Sequence, residues 1–477
     1  MSNNVVKEPA ISAFGEALTV QPMPVIQITA QYGLRSEVES AAIGGTVSAI
    51  DSKFVISTGT GAGNISSLAS TKLATYRAGQ GLMCRLTSVF TEGMLGSSQI
   101  AGLVTSESLL GFGYNGDEFG ILHAKGGELE QWDLQVTGGA AGVENATVTI
   151  DGNPYTVPLT AGVVEKAAYE IAVSLNSQVP GYGFSSVGDS VCVLAQLPDL
   201  GGGAFTFSSA TAAATFTQIK SGLLPIETWT KKADWNINPS IDIDPSLGNV
   251  YQVQMQYLGF GGIKFYVENP ETAQFELVHI IKYANTTTVP SFSNPIFRVG
   301  WGARNSGNTT DIVVQGASGA IFIEGETVVD TDSIGQSVTQ AGITSTRTSI
   351  FSLQNRRTYF GTANRAEIIM RSLVLSTDTT KTAKFELIRN PVVVSGGFLE
   401  FDSLGPDNLA ETSVSAVQIV GGDVIAAYDV KSTIPFQVSL GDVVSKLQPA
   451  DIVCIASSVS SGAASEMSAA VTWQDDL

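Results

Sequence analysis

Residues 249–285, NVYQVQMQYLGFGGIKFYVENPETAQFELVHIIKYAN, set the fold class. Tyr251, Val253 and Met255 alternate with Gln252 and Gln254, and the same beat resumes in IKFYVEN beyond a glycine-rich bend at Gly259–Gly262. A period of two places the apolar residues on one side of an extended chain, so each run reads as a half-buried β-strand and not as a helix. Asn269–Pro270 supplies a second turn before FELVHII, because Pro has no amide hydrogen to give a ladder and Asn tolerates tight turns.

The rhythm extends to both sides of this stretch. Residues 41–130 carry short alternating runs such as SKFVIST, GLMCRLTSVF and EFGILHAKGG, with Asn115–Gly116 and Gly126–Gly127 as tight-turn signals around the last of them, which predicts a meander of hairpins. Residues 131–222 depart from it. ATVTIDGNPYTVPL is a hairpin turned at Asp151–Gly152, after which Val164, Ala168, Ile171, Leu175 and Val179 recur at helical spacing, with Thr160 as the expected N-cap and Pro180–Gly181 as the stop. GFSSVGDSVCVLAQL and GAFTFSSATAAATFTQI then read as two more strand pairs. VDTDSIGQSVTQAG is polar and reads as a turn-rich boundary around 330–342, and beyond it TSIFSLQN, EIIMRSLVLST, AKFELIRNPVVV and IPFQVSL are again strands.

The expected fold is therefore mainly β, with two β-sandwich or jelly-roll-like domains, a small inserted α+β module and an extended N-terminal arm. The expected boundaries are 1–40 for the arm, 41–130 plus 223–335 for the first sandwich, 131–222 for the inserted module and 336–477 for the C-terminal sandwich. In the arm, Pro22 and Pro24 hold VQPMPVIQITAQYGL extended. Val25, Ile26 and Ile28 are then either an assembly strand that docks on a neighbour or the first core strand of the following domain.

Charge narrows the function. Charged residues make up 14% of the chain, against roughly 25% in an average protein, and 25 Lys and Arg face 44 Asp and Glu for a formal charge of −19. Phosphate binding needs clustered cations, and Arg356, Arg357, Arg365 and Arg371 are interleaved with apolar strand residues, so a nucleic-acid partner is not expected. No apolar run approaches the ~18 residues of a spanning helix, and no basic-then-apolar secretory signal opens the chain. Membrane insertion is not expected, and production in a reducing cytoplasm is. Cys84, Cys192 and Cys454 sit far apart in apolar runs and read as free, buried thiols without disulfide or zinc spacing.

Catalytic signatures are equally sparse. His123 and His279, the two histidines, each lie inside an alternating strand, and no G-x-S-x-G elbow, P-loop, H-E-x-x-H or dinucleotide fingerprint occurs. Asp234, Asp242 and Asp244 in ADWNINPSIDIDP come nearest to an oxygen-ligand set, but solvated carboxylates in a turn beside Pro245 explain them better. No catalytic residue, cofactor or metal ligand is assigned. GFGYNGDEF offers Tyr114, Asn115 and Asp117 as a ligand surface, although core packing accounts equally well for Phe112 and Phe119.

Several blocks carry a family resemblance: FGEALTVQPMPVIQITAQYG, YRAGQGLMCRLTSVFTEG, GFGYNGDEFGILHAKGG, residues 249–285, NRAEIIMRSLVLST, FELIRNPVVV and the terminal VTWQDD. Together they span most of the chain and resemble phage and large-virus particle proteins of fibre, spike or decoration type. The resemblance implies a non-enzymatic, multi-copy structural protein at the virion surface, assembled in the host cytoplasm. Its partners would be itself, as a homo-oligomer (a trimer for a fibre or spike), and other virion proteins. Two alternatives stay open: an adhesin for a host glycan or receptor on the same scaffold, and a polysaccharide depolymerase.

Overall fold

The structure, a computed structural model, describes residues 22–196, 204–324, 331–378, 382–431, 435–440, 446–460 and 464–476. The alternating runs form the strands that their period requires. Asn249–Met255 pairs antiparallel with Ile263–Glu268, which pairs with Phe275–Ile281. The bend between the first two turns through positive φ at Leu258 (36°) and Gly259 (80°), and Gly261 N–H closes it on the Tyr257 carbonyl at 2.7 Å.

The chain divides into two compact units. The first holds the described residues of Met1–Gly127 and Leu224–Val328. Here Asn249–Met255 also pairs with Leu82–Phe90, in register from Asn249↔Ser88 to Met255↔Leu82. That pair is the centre of a nine-stranded sheet continuing through Val313–Gly316, Lys53–Ser57 and Thr46–Ile50, with Ser318–Ile323 and Met23–Thr29 added beside Leu82–Phe90. A seven-stranded sheet runs in the order Ile226–Lys231, Glu118–Lys125, Leu109–Asn115, Ser97–Val104, Arg298–Asn305, Ile65–Ser70 and Val38–Ile43. Inward side chains of both sheets form one core, in which Phe112 and Tyr251 stack with centroids 4.7 Å apart.

Gly126–Gly127 makes no hairpin. The strand Glu118–Lys125 pairs instead with Ile226–Lys231, on the far side of the segment 128–223. Glu128 and Leu223 exchange two backbone hydrogen bonds of 2.8 Å, so that segment leaves and re-enters through one neck.

The second unit contains Glu128–Leu223 together with the described residues of Val329–Leu477. Residues of the segment build their own core between a four-stranded sheet, a three-stranded sheet and the helix Val164–Gln178. Ala168, Ile171 and Leu175 of the helix point into it, as their spacing predicts. Thr160 is not the cap: Val163 holds that position without a side-chain hydrogen bond, and Thr160 N–H instead donates to Glu170 Oε2 at 2.9 Å. The expected last strand pair also separates, because Phe205–Ser208 joins Glu144–Ile150 in one sheet while Ala213–Lys220 joins Gln131–Gly138 in the other. The Asp151–Gly152 turn forms as read, both residues at positive φ (52° and 79°).

The C-terminal part is a sandwich of a four-stranded and a six-stranded sheet around a second large core. The module lies close against it: a Cβ on Gly183 would stand 2.3 Å from Arg357 Nη1, so a larger residue there would have to displace the guanidinium. Residues 333–343, expected as part of a turn-rich boundary, form an edge strand, Ser333–Ile343, paired with Ser465–Asp476. Its alternation of Ile334, Gln336, Val338 and Gln340 is that of a strand written in polar letters. Cys84 and Cys454 are buried and Cys192 is partly buried, and all three are free.

The arm splits between the described and undescribed parts of the chain: residues 1–21 lie outside the described residues, and Met23–Thr29 pairs with Ser318–Ile323. Ile26 and Ile28 are in the core of the first unit, with Val25 packed at its margin, which is the core-strand alternative for these three residues. Ile28→Ala or Ile26→Ala is expected to lower the unfolding free energy by about 2–5 kcal/mol in a urea titration. Deletion of residues 1–30 is expected to give aggregating protein by size-exclusion chromatography, since it exposes the edge of Ser318–Ile323. A folded, soluble truncation would show that this strand contributes little to the body.

Candidate functional site

The outer face of the nine-stranded sheet follows from the same alternation that builds its core. Leu82, Cys84 and Leu86 point inward, which turns Arg85 outward; Tyr251 and Val253 point inward, which turns Gln252 outward. Register sets Gln27, Ala320, Arg85, Gln252 and Tyr266 in one row across five strands. Arg85 Nε donates to Gln252 Oε1 at 2.7 Å, and the guanidinium stands 4.9 Å from the Phe275 ring centroid and 5.8 Å from that of Phe322. Burial lowers the Arg85 pKa from its ordinary 12.5. The two rings favour the cation and partly offset that effect. In the next row Gln254 Nε2 donates to Glu324 Oε1 at 2.9 Å. A groove of about 440 Å³ opens beside this array, lined among others by Gln27, Thr29, Arg85, Thr87, Ser318 and Phe322. An extended apolar and polar ligand could lie there against Phe322 and Arg85.

A second polar cluster lies at one end of the C-terminal sandwich. Glu411 accepts from Gln354 Nε2 at 2.8 Å and has Arg356 Nε 3.7 Å away. Burial raises its pKa to about 7, against the opposing pull of Arg356 and the Gln354 bond. Asp475 is likewise raised by burial, while Leu409 N–H donates to it at 3.0 Å. Lys446 reaches Asp476 at 2.6 Å and also pairs with Glu367; burial works to lower its pKa, and the two carboxylates reverse that to a net rise. Glu411 and Asp475 are only 5% exposed, so the raised carboxyls face each other's packing partners and not a cleft.

The other residues singled out from sequence occupy ordinary structural positions. Tyr114 packs on Phe90 and Phe119, and burial raises its pKa, helped by Asp244 and Glu92. Asn115 and Asp117 are exposed at the tip of the hairpin, apart from the Arg85 groove lining. His123 is buried against Phe292 and Tyr283, and burial, with Lys125 nearby, lowers its pKa to about 4. His279 Nδ1 accepts from Asn236 N–H at 3.2 Å, and burial lowers its pKa too. Asp244 caps its own turn, accepting from Ser246 N–H at 2.9 Å and Oγ at 2.7 Å, and these bonds lower its pKa. Asp234 and Asp242 are exposed, and no group of three metal-ligating side chains is assembled among the described residues. Arg365 is buried, and Arg356, Arg357 and Arg371 are half-buried.

No protein-family model and no curated protein matches the chain. Among solved structures it is similar to LamAcat from Zobellia galactanivorans, at 10% identity over 63% of this chain and 97% of that one, with a TM-score of 0.29. It is also similar to the metal-free carbohydrate recognition domain of Emp46p, at 10% identity, 61% and 90% coverage and a TM-score of 0.25. For a legume lectin-like domain from Entamoeba histolytica the figures are 10%, 60%, 89% and 0.22. Overlaps of that size leave the fold class resting on the sheet connectivity described above.

Glu411 gives a pH signature. A carboxyl raised from 4.5 to about 7 in the folded state contributes stability that is full below 4.5 and lost as pH rises through 7. Replacing it by Gln, which keeps the acceptor for Gln354, is expected to remove a loss on the order of 3 kcal/mol between those limits. Urea titrations of the wild type and Glu411→Gln at pH 5 and pH 8 measure it; parallel pH dependence of the two would contradict the assignment.

Proposed function

We propose that the protein is a non-enzymatic structural component of a virus or phage particle exterior, of fibre, spike or decoration type. It works by assembling with itself and with other particle proteins in the host cytoplasm. The observation that best supports this reading is where the reactive groups lie. His123, His279, Glu411 and the thiols of Cys84 and Cys454 are packed inside the sandwiches, whereas the chain as a whole carries few charges. Catalysis needs a nucleophile or an acid–base pair open to substrate. Assembly needs surface that sheds its water at little cost, and a surface poor in charge does so.

Native mass spectrometry of the full chain is expected to give one defined homo-oligomer, and incubation with host-surface polysaccharides is expected to release no reducing ends. Release of reducing ends by the wild type that Glu411→Gln abolishes would replace this reading with a depolymerase.

A second reading, an adhesin for a glycan or receptor on the same scaffold, is favoured by Arg85 standing over two phenylalanines beside an open groove. Aromatic faces beside a charged donor suit an acidic saccharide. On a glycan array the wild type is expected to retain acidic glycans and Arg85→Ala to lose them; an array without bound glycans removes this reading.

A further inference from the structure

We infer that Ser333–Ile343 is an interface at which two copies of this chain pair edge to edge, antiparallel, about a two-fold axis through Val338. The inference deepens the assembly reading above by naming the partner and the contact, and it rests on that reading.

The strand ends the four-stranded sheet of the C-terminal sandwich, and Ser465–Asp476 is its ladder partner among the described residues. It runs for 11 residues, SIGQSVTQAGI, with no charge and no proline. Edge strands of this kind present a row of free amides and carbonyls to any chain that can pair with them. The other three edges of the same sandwich are blunted. Phe436–Ser439 has four residues and Asp402–Ser403 has two. Ile419–Val430 is long, but it carries Asp423 and Asp429 and its ladder with Ala383–Val393 slips at three points. Short strands, charges and bulges are the devices that keep an edge from pairing; Ser333–Ile343 is long and uncharged, and its own ladder keeps an unbroken register from Ser333 to Gln340, with one irregularity between Gln340 and Ile343 at its end.

Its sequence is also complementary to itself. A two-fold axis through Val338, perpendicular to the sheet, sets Ser337 opposite Thr339, Gln336 opposite Gln340 and Val338 opposite itself. No like charges meet, and hydroxyl faces hydroxyl on the exposed side. On the inner side the amides of Gln336 and Gln340 face each other. Gln340 Nε2 donates to the Val414 carbonyl at 2.8 Å.

Pairing in this way would join the two four-stranded sheets into one of eight. Each copy uses the same edge, so the contact closes and does not propagate into a fibre. It also makes the oligomer even-numbered.

The test uses the full chain and native mass spectrometry, with thermal unfolding by circular dichroism as the control for folding. Ser337→Lys with Thr339→Lys places ammonium groups opposite one another in both crossed pairs, and loss of the dimer mass is expected with the melting curve unchanged. Ser337→Lys with Thr339→Glu places opposite charges in the same pairs and is expected to restore the dimer. A wild type that is monomeric or purely trimeric overturns the inference, as does a dimer that the double-lysine variant leaves intact. So does a dimer that the Lys/Glu variant fails to restore, because another segment is then seated on this edge. A trimer, or a dimer that fails either charge test, overturns this inference alone, because a defined homo-oligomer remains; a monomeric wild type removes the assembly reading with it.

Discussion

The first unit depends on one ladder, the continuous antiparallel register between Asn249–Met255 and Leu82–Phe90. It joins segments that lie on opposite sides of an inserted module in the chain, and it brings Tyr251, Val253 and Met255 into line with Leu82, Cys84 and Leu86 in one core. A slip of one residue would turn every one of these side chains to the outer face, so burial itself enforces the register. The ladder can form because the intervening chain returns to its starting point. Glu128 and Leu223 bond to each other at the neck, and the entropic penalty of a long closed loop grows only logarithmically with its length.

That register also creates the outer face. Arg85, Gln252 and Tyr266 form a row because their neighbours along each strand are committed to the core. Charge on a half-buried face is disfavoured by desolvation, and here two phenylalanine rings and one glutamine carbonyl offset it. The C-terminal sandwich handles its polar groups differently. Glu411 is moved toward neutrality, and Lys446 is held between Glu367 and Asp476, so these groups serve the packing of one end of the sandwich.

A sandwich leaves four edges, and each must be short, charged, bulged or covered to keep its free backbone groups from pairing. In the C-terminal sandwich three edges are short, bulged or charged, and the fourth is long and neutral. A chain poor in charge has few residues with which to guard its edges, so the guarding is selective.

Some of this was legible from residues alone. Tyr251-Gln252-Val253-Gln254-Met255 could only be a strand with one buried side, Asp151–Gly152 could only be a tight turn because both residues take positive φ there, and Ala168, Ile171 and Leu175 could only share a helical face. The mainly β class followed from these local periods. What a period of two does not contain is the identity of the neighbouring strand. Hence Ile26 and Ile28 read equally well as an arm or a core strand, and only the pairing with Ser318–Ile323 decides between them. SIGQSVTQAG passed for a boundary because Ser, Gln, Thr and Gly serve linkers and solvent-facing edges alike, and only its ladder to Ser465–Asp476 separates the two. Arg85, Phe275 and Phe322 are far apart in the chain, and no local pattern links them. Their meeting was decided by tertiary register, because strand pairing energy depends on side chains that both partners bury together.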